Sequence, residues 1–273
     1  MNAKPKHITS LHNEQVKNVV ALKKRRARRR TGLTVVEAKA ELRAAFAAGV
    51  RPRTVFYSPD LVNDDEVSEF AAAAGEAGST LVSVSSEVFA KMAYRESPDG
   101  WLATAPLPER YLDDLSVGSD PLVLVVEGVE KPGNLGAILR TADGVGADAV
   151  IATDAVVDWG NPNVVRASKG MVFSVPHASA GLAETLTWLA EGDIRLIAAT
   201  PDSARFYGEV DYSGGVAVAV GAEHAGLTSS LVEAASERIV IPMIGYADSL
   251  NVSTSLAVIA YHAQWQRGGF HKR

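Results

Sequence analysis

Asn134 and Arg140 bound the stretch Asn134-Leu-Gly-Ala-Ile-Leu-Arg140, which follows an apolar run from Pro121 to Val129. On a helix, six residues span about 9 Å of rise. An arginine side chain leans back toward the helix N-terminus, so a carboxamide and a guanidinium could meet at one ligand. A guanidinium stays protonated, with a pKa above about 12, so acting as a literal base is demanding. Two-pronged binding of an anion such as a phosphate is the chemistry that its planar fork suits. Each residue also has an ordinary use. Asn134 is a good helix N-cap, and Arg140 could be a surface charge or a partner of Asp143 or Glu223.

Two later segments add to this pair: Gly221-Ala-Glu-His-Ala-Gly-Leu227, and Ile241-Pro-Met243 running into Ser249-Leu-Asn-Val-Ser253. Their glycines and proline mark turns where backbone amides and carbonyls can approach a ligand closely. A dinucleotide site would place Gly-x-Gly-x-x-Gly after the first strand of its fold, and here Gly133 and Gly136 flank Asn134 instead. The chain lacks cysteine and a Gly-x-Ser-x-Gly elbow, and no His/Asp/Glu cluster has metal-ligand spacing. Those absences exclude thiolate chemistry and the serine-hydrolase elbow, and metal binding is not expected.

The elements that must position these residues alternate strand and helix. Residues 12–30 read as one helix, followed by a strand at 33–37 and an Ala-rich helix at 38–48 stopped by Gly49. Strands at 54–58, 80–84 and 101–105 alternate with helices at 64–77 and 86–93, the pattern of a small α/β unit. Residues 107–120, rich in turn formers, read as a linker. Beyond it, apolar strands at 121–129, 147–153, 195–200, 215–221 and 238–243 fit a mostly parallel sheet covered on both faces. Helices at 134–145, 163–170, 182–191, 228–236 and 249–266 supply the cover.

The net charge of −5 is polarised. Through Gly32 there are ten basic residues against Glu14 alone, so the rest of the chain carries −14. The run Lys23, Lys24, Arg25, Arg26, Arg28, Arg29 and Arg30 has no acidic partners for lacing along one helix. It reads as a contact for nucleic acid, with a solvated terminus as the alternative. No apolar run approaches a membrane span, and the start of the chain lacks the apolar core of a secretory signal. The expected location is the cytoplasm.

The three blocks, in this order and each at a strand end, resemble the signature of the SpoU/TrmH family of RNA 2'-O-ribose methyltransferases in the SPOUT superfamily. Thr34-Val-Val-Glu37, Ala47-Ala-Gly49 and Arg95-Glu-Ser-Pro-Asp-Gly100 before Trp101-Leu-Ala103 resemble, more loosely, the family's substrate-binding domain. The resemblance implies an α/β protein. Residues 1–106 would form a domain similar to RNA-binding ribosomal proteins, 107–120 a linker, and 121–273 a SPOUT domain with a trefoil knot. It further implies S-adenosylmethionine as cofactor, RNA as substrate, no metal, and a homodimer in which one subunit helps complete the other's site.

By the same resemblance, Thr200, Gly221, Ile241 and Leu250 line the cofactor pocket, although Ile241 and Leu250 are also ordinary core residue types. Arg140 becomes the leading catalytic residue. Asn134 orients it or the ribose, Glu223 holds it or anchors the Gly226 loop, and Ser249 and Asn251 hydrogen-bond the first block. His224 reads as a variation at the pocket rim and Lys169 carries no role. Arg166, in Arg166-Ala-Ser-Lys-Gly170, is expected to bind substrate phosphate. Ribosomal RNA, in particular 23S, is the expected substrate. The rivals are a tRNA methyltransferase and an RNA-binding protein that kept the fold without the chemistry.

Overall fold

The computed structural model describes residues 6–222 and 225–270. The chain falls into two compact units, Met1–Pro108 with Asp158–Ser174, and Glu109–Val157 with Val175–Arg273. This differs from the division read in the sequence, because residues 158–174 cluster with the N-terminal unit. The stretch 107–120 is not a free connector either. Leu107 N–H donates to the Gly32 carbonyl (2.9 Å) in the first unit, and Leu112, Leu115 and Val117 pack on the core of the second.

The first unit contains β1 (Lys6–Ile8), α1 (Glu14–Ala21), α2 (Arg25–Thr31), β2 (Leu33–Glu37), α3 (Lys39–Ala47), β3 (Thr54–Tyr57), α4 (Asp64–Glu76), β4 (Thr80–Val84), α5 (Ser86–Met92) and β5 (Trp101–Pro106). Its sheet runs β1-β4-β3-β5-β2, with β5 antiparallel to both neighbours. Asn63 starts α4 by accepting from Glu66 N–H (2.9 Å), ahead of an acidic first turn that suits the helix dipole. Val16, Val19, Val35, Phe56, Val82, Phe89 and Leu102 fill one core. Trp101, fully buried, stacks on Tyr57 with 5.5 Å between ring centroids.

The single helix expected over 12–30 is two helices. Arg28 turns inward, 2% exposed, and its Nη1 donates to the carbonyls of Leu22 (2.9 Å) and Lys23 (3.2 Å). In a continuous helix those carbonyls would serve the amides four residues on. The break at Leu22–Lys24 is therefore the local consequence of an arginine that folds into the unit instead of facing water.

The second unit opens with β6 (Leu122–Glu127), α6 (Pro132–Val145) and β7 (Ala149–Thr153). The chain then supplies α7 (Pro162–Ala167) to the first unit. There Thr34 Oγ1 donates to the Gly160 carbonyl (2.5 Å), and Gly170, at φ +81°, sits where a Cβ would come within 2.7 Å of Ala44 Cβ. The second unit closes with β8 (His177–Ala180), α8 (Leu182–Glu191), β9 (Arg195–Ala199), β10 (Val216–Val220), α9 (Ser229–Ala234), β11 (Glu237–Ile239) and α10 (Val252–Gln266).

Its six strands run β11-β9-β10-β6-β7-β8, parallel at every pairing. All six residues of β6 are buried, as a strand covered on both faces requires. One core gathers Val123, Val125, Ile151, Leu196, Ala217 and Ala219 under Leu189 of α8 and Leu231 of α9. Helix α10 packs on α6, β10 and β6. The strand expected over 238–243 is shorter, and residues beyond Val240 follow an irregular path to α10. Among the described residues, no helix is long and apolar enough to cross a membrane.

Candidate active site

Parallel α/β sheets bind ligands outside the C-terminal ends of their strands. In the second unit that edge carries a cavity of about 590 Å³, within the size range of small-molecule sites. Thr200 enters it from the end of β9, Gly221 from the end of β10, and Ile241, Ser249, Leu250 and Asn251 from the irregular segment before α10. The four residues expected around a cofactor thus share one cavity.

Gly221 shows why the sequence needs glycine here. A Cβ on it would lie 2.0 Å from the Gly226 carbonyl carbon and 2.3 Å from Leu227 N, so the returning loop can cross only bare backbone. Thr200 is 9% exposed and its amide donates to the Ile239 carbonyl (2.9 Å), tying β9 to β11. Its hydroxyl is buried without a partner among the described residues.

A smaller neighbouring cavity of about 100 Å³ shares Gly221, Ala222, Ala225 and Val252 and adds Glu130, Lys131 and Asn134. Helix α6 begins at Pro132, with Lys131 at the N-cap. Asn134 is therefore inside the first turn and is not the cap. Its side chain meets the third block instead, where Asn251 Nδ2 donates to Asn134 Oδ1 (3.2 Å). Asn251 caps α10, its Oδ1 accepting from Ser253 N–H (3.0 Å) and Ser253 Oγ–H (2.6 Å). Ser249 lines the larger cavity.

Arg140 is exposed on α6 and lines neither cavity. The six-residue spacing does not bring it to the Asn134–Asn251 pair through a hydrogen bond among the described residues. Glu223 and His224 lie outside the described residues. Two residues escaped the sequence reading. Glu127, 4% exposed at the end of β6, accepts from Thr228 N–H and Thr228 Oγ–H at 2.7 Å each, fixing the loop after Gly226. Its signal was an acid closing an apolar run. Ser253 is the other.

In the first unit, Lys24, Arg26, Arg29 and Arg30 are exposed along the basic run. Lys23 is exposed too, but its Nζ donates to the Ala93 carbonyl (2.9 Å) and lies 5.0 Å from the Tyr94 ring. Arg25 stands 3.7 Å from Asp158. Arg28 must be corrected: its fork closes on Asp158, Nε to Oδ1 at 3.0 Å and Nη2 to Oδ2 at 2.5 Å, so it has no face for a phosphate. Arg166 is exposed on α7 in the same unit. Glu41, on the buried side of α3, has its pKa raised above the usual carboxylate value, chiefly by burial, with Arg95 and Lys169 pulling the other way. Among the described residues, no cluster of His, Cys, Asp or Glu could hold a metal ion.

Residues 121–261 match the SpoU rRNA Methylase family, and residues 13–103 match the MRM3-like substrate binding domain. The chain belongs to the SpoU rRNA methylase family. This SpoU chain is 27% identical to the 23S rRNA (guanosine(2553)-2'-O)-methyltransferase RlmP of Bacillus subtilis, over 94% of this chain and 98% of that protein. It is similar to a solved RNA 2'-O ribose methyltransferase, at 39% identity and a TM-score of 0.85, over 96% of this chain and 99% of the other. It is also similar to the AdoMet-bound rRNA methyltransferase from Sinorhizobium meliloti, at 28% identity and a TM-score of 0.87, over 96% and 98% of the two chains. In the SpoU chain the family block that begins at Asn134 and the one that ends at Ser253 are joined by a hydrogen bond.

Proposed function

We propose that the chain is an S-adenosylmethionine-dependent RNA methyltransferase that modifies a ribose 2'-oxygen in 23S ribosomal RNA. The observation that carries this reading is the cavity at the ends of β9 and β10, beside the Asn134–Asn251 pair. The cavity fits the donor. Its floor is backbone at Gly221, its wall is apolar at Ile241 and Leu250, and the buried Thr200 hydroxyl stands at its edge. When bound, S-adenosylmethionine supplies an electrophilic methyl group on a sulfonium.

The chain's own residues hold the acceptor. Asn134 and Asn251 orient the ribose at the mouth of the smaller cavity. A protonated arginine binds the adjoining phosphate and stabilises charge growing on the 2'-oxygen. Most of the acceleration comes from this positioning. Arg140 takes that role in a homodimer, in which a second copy completes the site. Two observations support the dimer: Arg140 is exposed away from its own chain's cavities, and α10 leaves Tyr261 47% and Trp265 69% exposed. The segment after Val240 is the part of the chain that would form the knot. The exposed arginines of α2, with Arg166, grip the RNA backbone. The protein works in the cytoplasm, where its substrate is made.

The test is methyl transfer from labelled S-adenosylmethionine to 23S rRNA, followed by nuclease digestion and mass mapping. One ribose-methylated nucleotide is expected. A methyl group on a base, transfer to tRNA alone, or binding without transfer would each overturn the reading.

A further inference from the structure

The Asn134–Asn251 bond depends on which way the Asn251 amide faces. A carboxamide turned by half a rotation would set its oxygen against the oxygen of Asn134, and the bond would become a repulsion. Ser253 grips the amide oxygen from two sides. Ser253 N–H and Ser253 Oγ–H both donate to Asn251 Oδ1, at 3.0 and 2.6 Å. That double acceptance fixes the oxygen toward α10 and leaves Nδ2 to face Asn134 Oδ1 at 3.2 Å. The backbone amide alone would serve as an ordinary helix cap. The hydroxyl adds a second donor on the same oxygen, at 2.6 Å.

We propose that Ser253 is a positioning residue for ribose methylation, acting through Asn251 to set the orientation of Asn134. The inference rests on the functional reading given above. Ser253 itself lines neither cavity, so it need not touch donor or acceptor. It holds Asn251 in one of its two amide orientations, and Asn251 in turn presents a fixed donor to Asn134. Asn251 is solvent-exposed, where water competes for the same bonds. The hydroxyl should therefore matter most once RNA covers the site and excludes that water.

The experiment compares Ser253→Thr with Ser253→Val, which differ by a hydroxyl against a methyl, and adds Ser253→Ala. Single-turnover methyl transfer, S-adenosylmethionine affinity and thermal stability are measured on each full-length protein. Loss of one ordinary hydrogen bond predicts a rate lowered about fivefold in the Val and Ala variants. The Thr variant should keep the wild-type rate, and all three should bind S-adenosylmethionine within about twofold of wild type. Val and Thr variants of equal rate would overturn the proposal, as would a Val loss that tracks cofactor affinity or melting temperature. If wild-type protein transfers no methyl to RNA ribose, the functional reading fails and not this inference. Amide orientation would then be tested by the Asn251 side-chain NH₂ resonances, which the proposal expects to broaden or shift in Val and not in Thr.

Discussion

Arg28→Ala should strongly destabilise the first unit and leave the electrostatics of RNA binding nearly untouched, although the residue lies in the middle of the basic run. Arg28 is 2% exposed and donates four hydrogen bonds, two to Asp158 and one each to the carbonyls of Leu22 and Lys23. Truncation strands the Asp158 carboxylate, whose side chain is 13% exposed. Breaking a buried pair from one side costs about 3–5 kcal/mol. Arg25, 3.7 Å from Asp158, offsets part of that and favours the lower end. For a unit of this size such a loss corresponds to a melting shift of about 10–20 °C. Differential scanning calorimetry reads the shift, and a salt titration of RNA affinity on protein kept cold enough to stay folded reads the charge effect. Replacing the pair with Arg28→Met and Asp158→Leu should restore most of the stability. An Arg28→Ala protein with wild-type melting and a flattened salt dependence would refute the reasoning.

Neutralising Lys24, Arg26, Arg29 and Arg30 should lower the slope of log affinity against log salt by roughly 0.7–0.9 per lost phosphate contact, with unchanged affinity for S-adenosylmethionine by calorimetry. Arg140→Ala should abolish methyl transfer while the cofactor still binds, and Arg140→Lys should be nearly as poor because an ammonium lacks the planar fork; radiolabel transfer assays decide both. Leu250→Arg should place a charge against the wall of the larger cavity and weaken the cofactor at least tenfold, roughly the effect of 1.4 kcal/mol, in a protein with wild-type circular dichroism. Glu41 has a folded pKa above its ordinary value, so the folded state holds its proton more tightly than the unfolded chain. That stabilisation is complete below the usual carboxylate pKa and is lost as pH rises through the raised one. Glu41→Gln should therefore give a melting temperature that falls less than wild type as pH rises above the usual carboxylate range, and parallel profiles would discard the effect.

Much of the second sheet was legible because buried parallel strands are written as unbroken apolar runs, and Pro121–Val129 became β6. Gly221 and Pro242 were legible as turns because each follows a strand, β10 and β11, at the edge where parallel sheets open. The start of α6 was misread by two residues, because Pro132 at the first helical position outranks Asn134 as a start signal. Charge patterning could not reveal that Arg28 faces inward. Composition reports which residues are basic, and Arg28 points inward because its partners, Asp158 and the carbonyls of Leu22 and Lys23, are brought to it only by the fold. The short strands β1 and β8 carry three and four residues, too few to show a period. Ser253 was visible only as part of a motif, since its effect on Asn251 is a matter of amide orientation.

The passage of the chain between the compact units has a consequence for exchange of parts among relatives. The boundary is crossed at Pro108–Glu109, Val157–Asp158 and Ser174–Val175, so the substrate-binding unit is not a cassette that one cut releases. A chimera joined only at residue 108 would inherit Thr34 and Arg28 from one parent and their partners Gly160 and Asp158 from the other. Recombination that respects the fold must carry two separate stretches of gene together, and residues 158–174 should change in step with the N-terminal hundred although they lie within the methylase sequence.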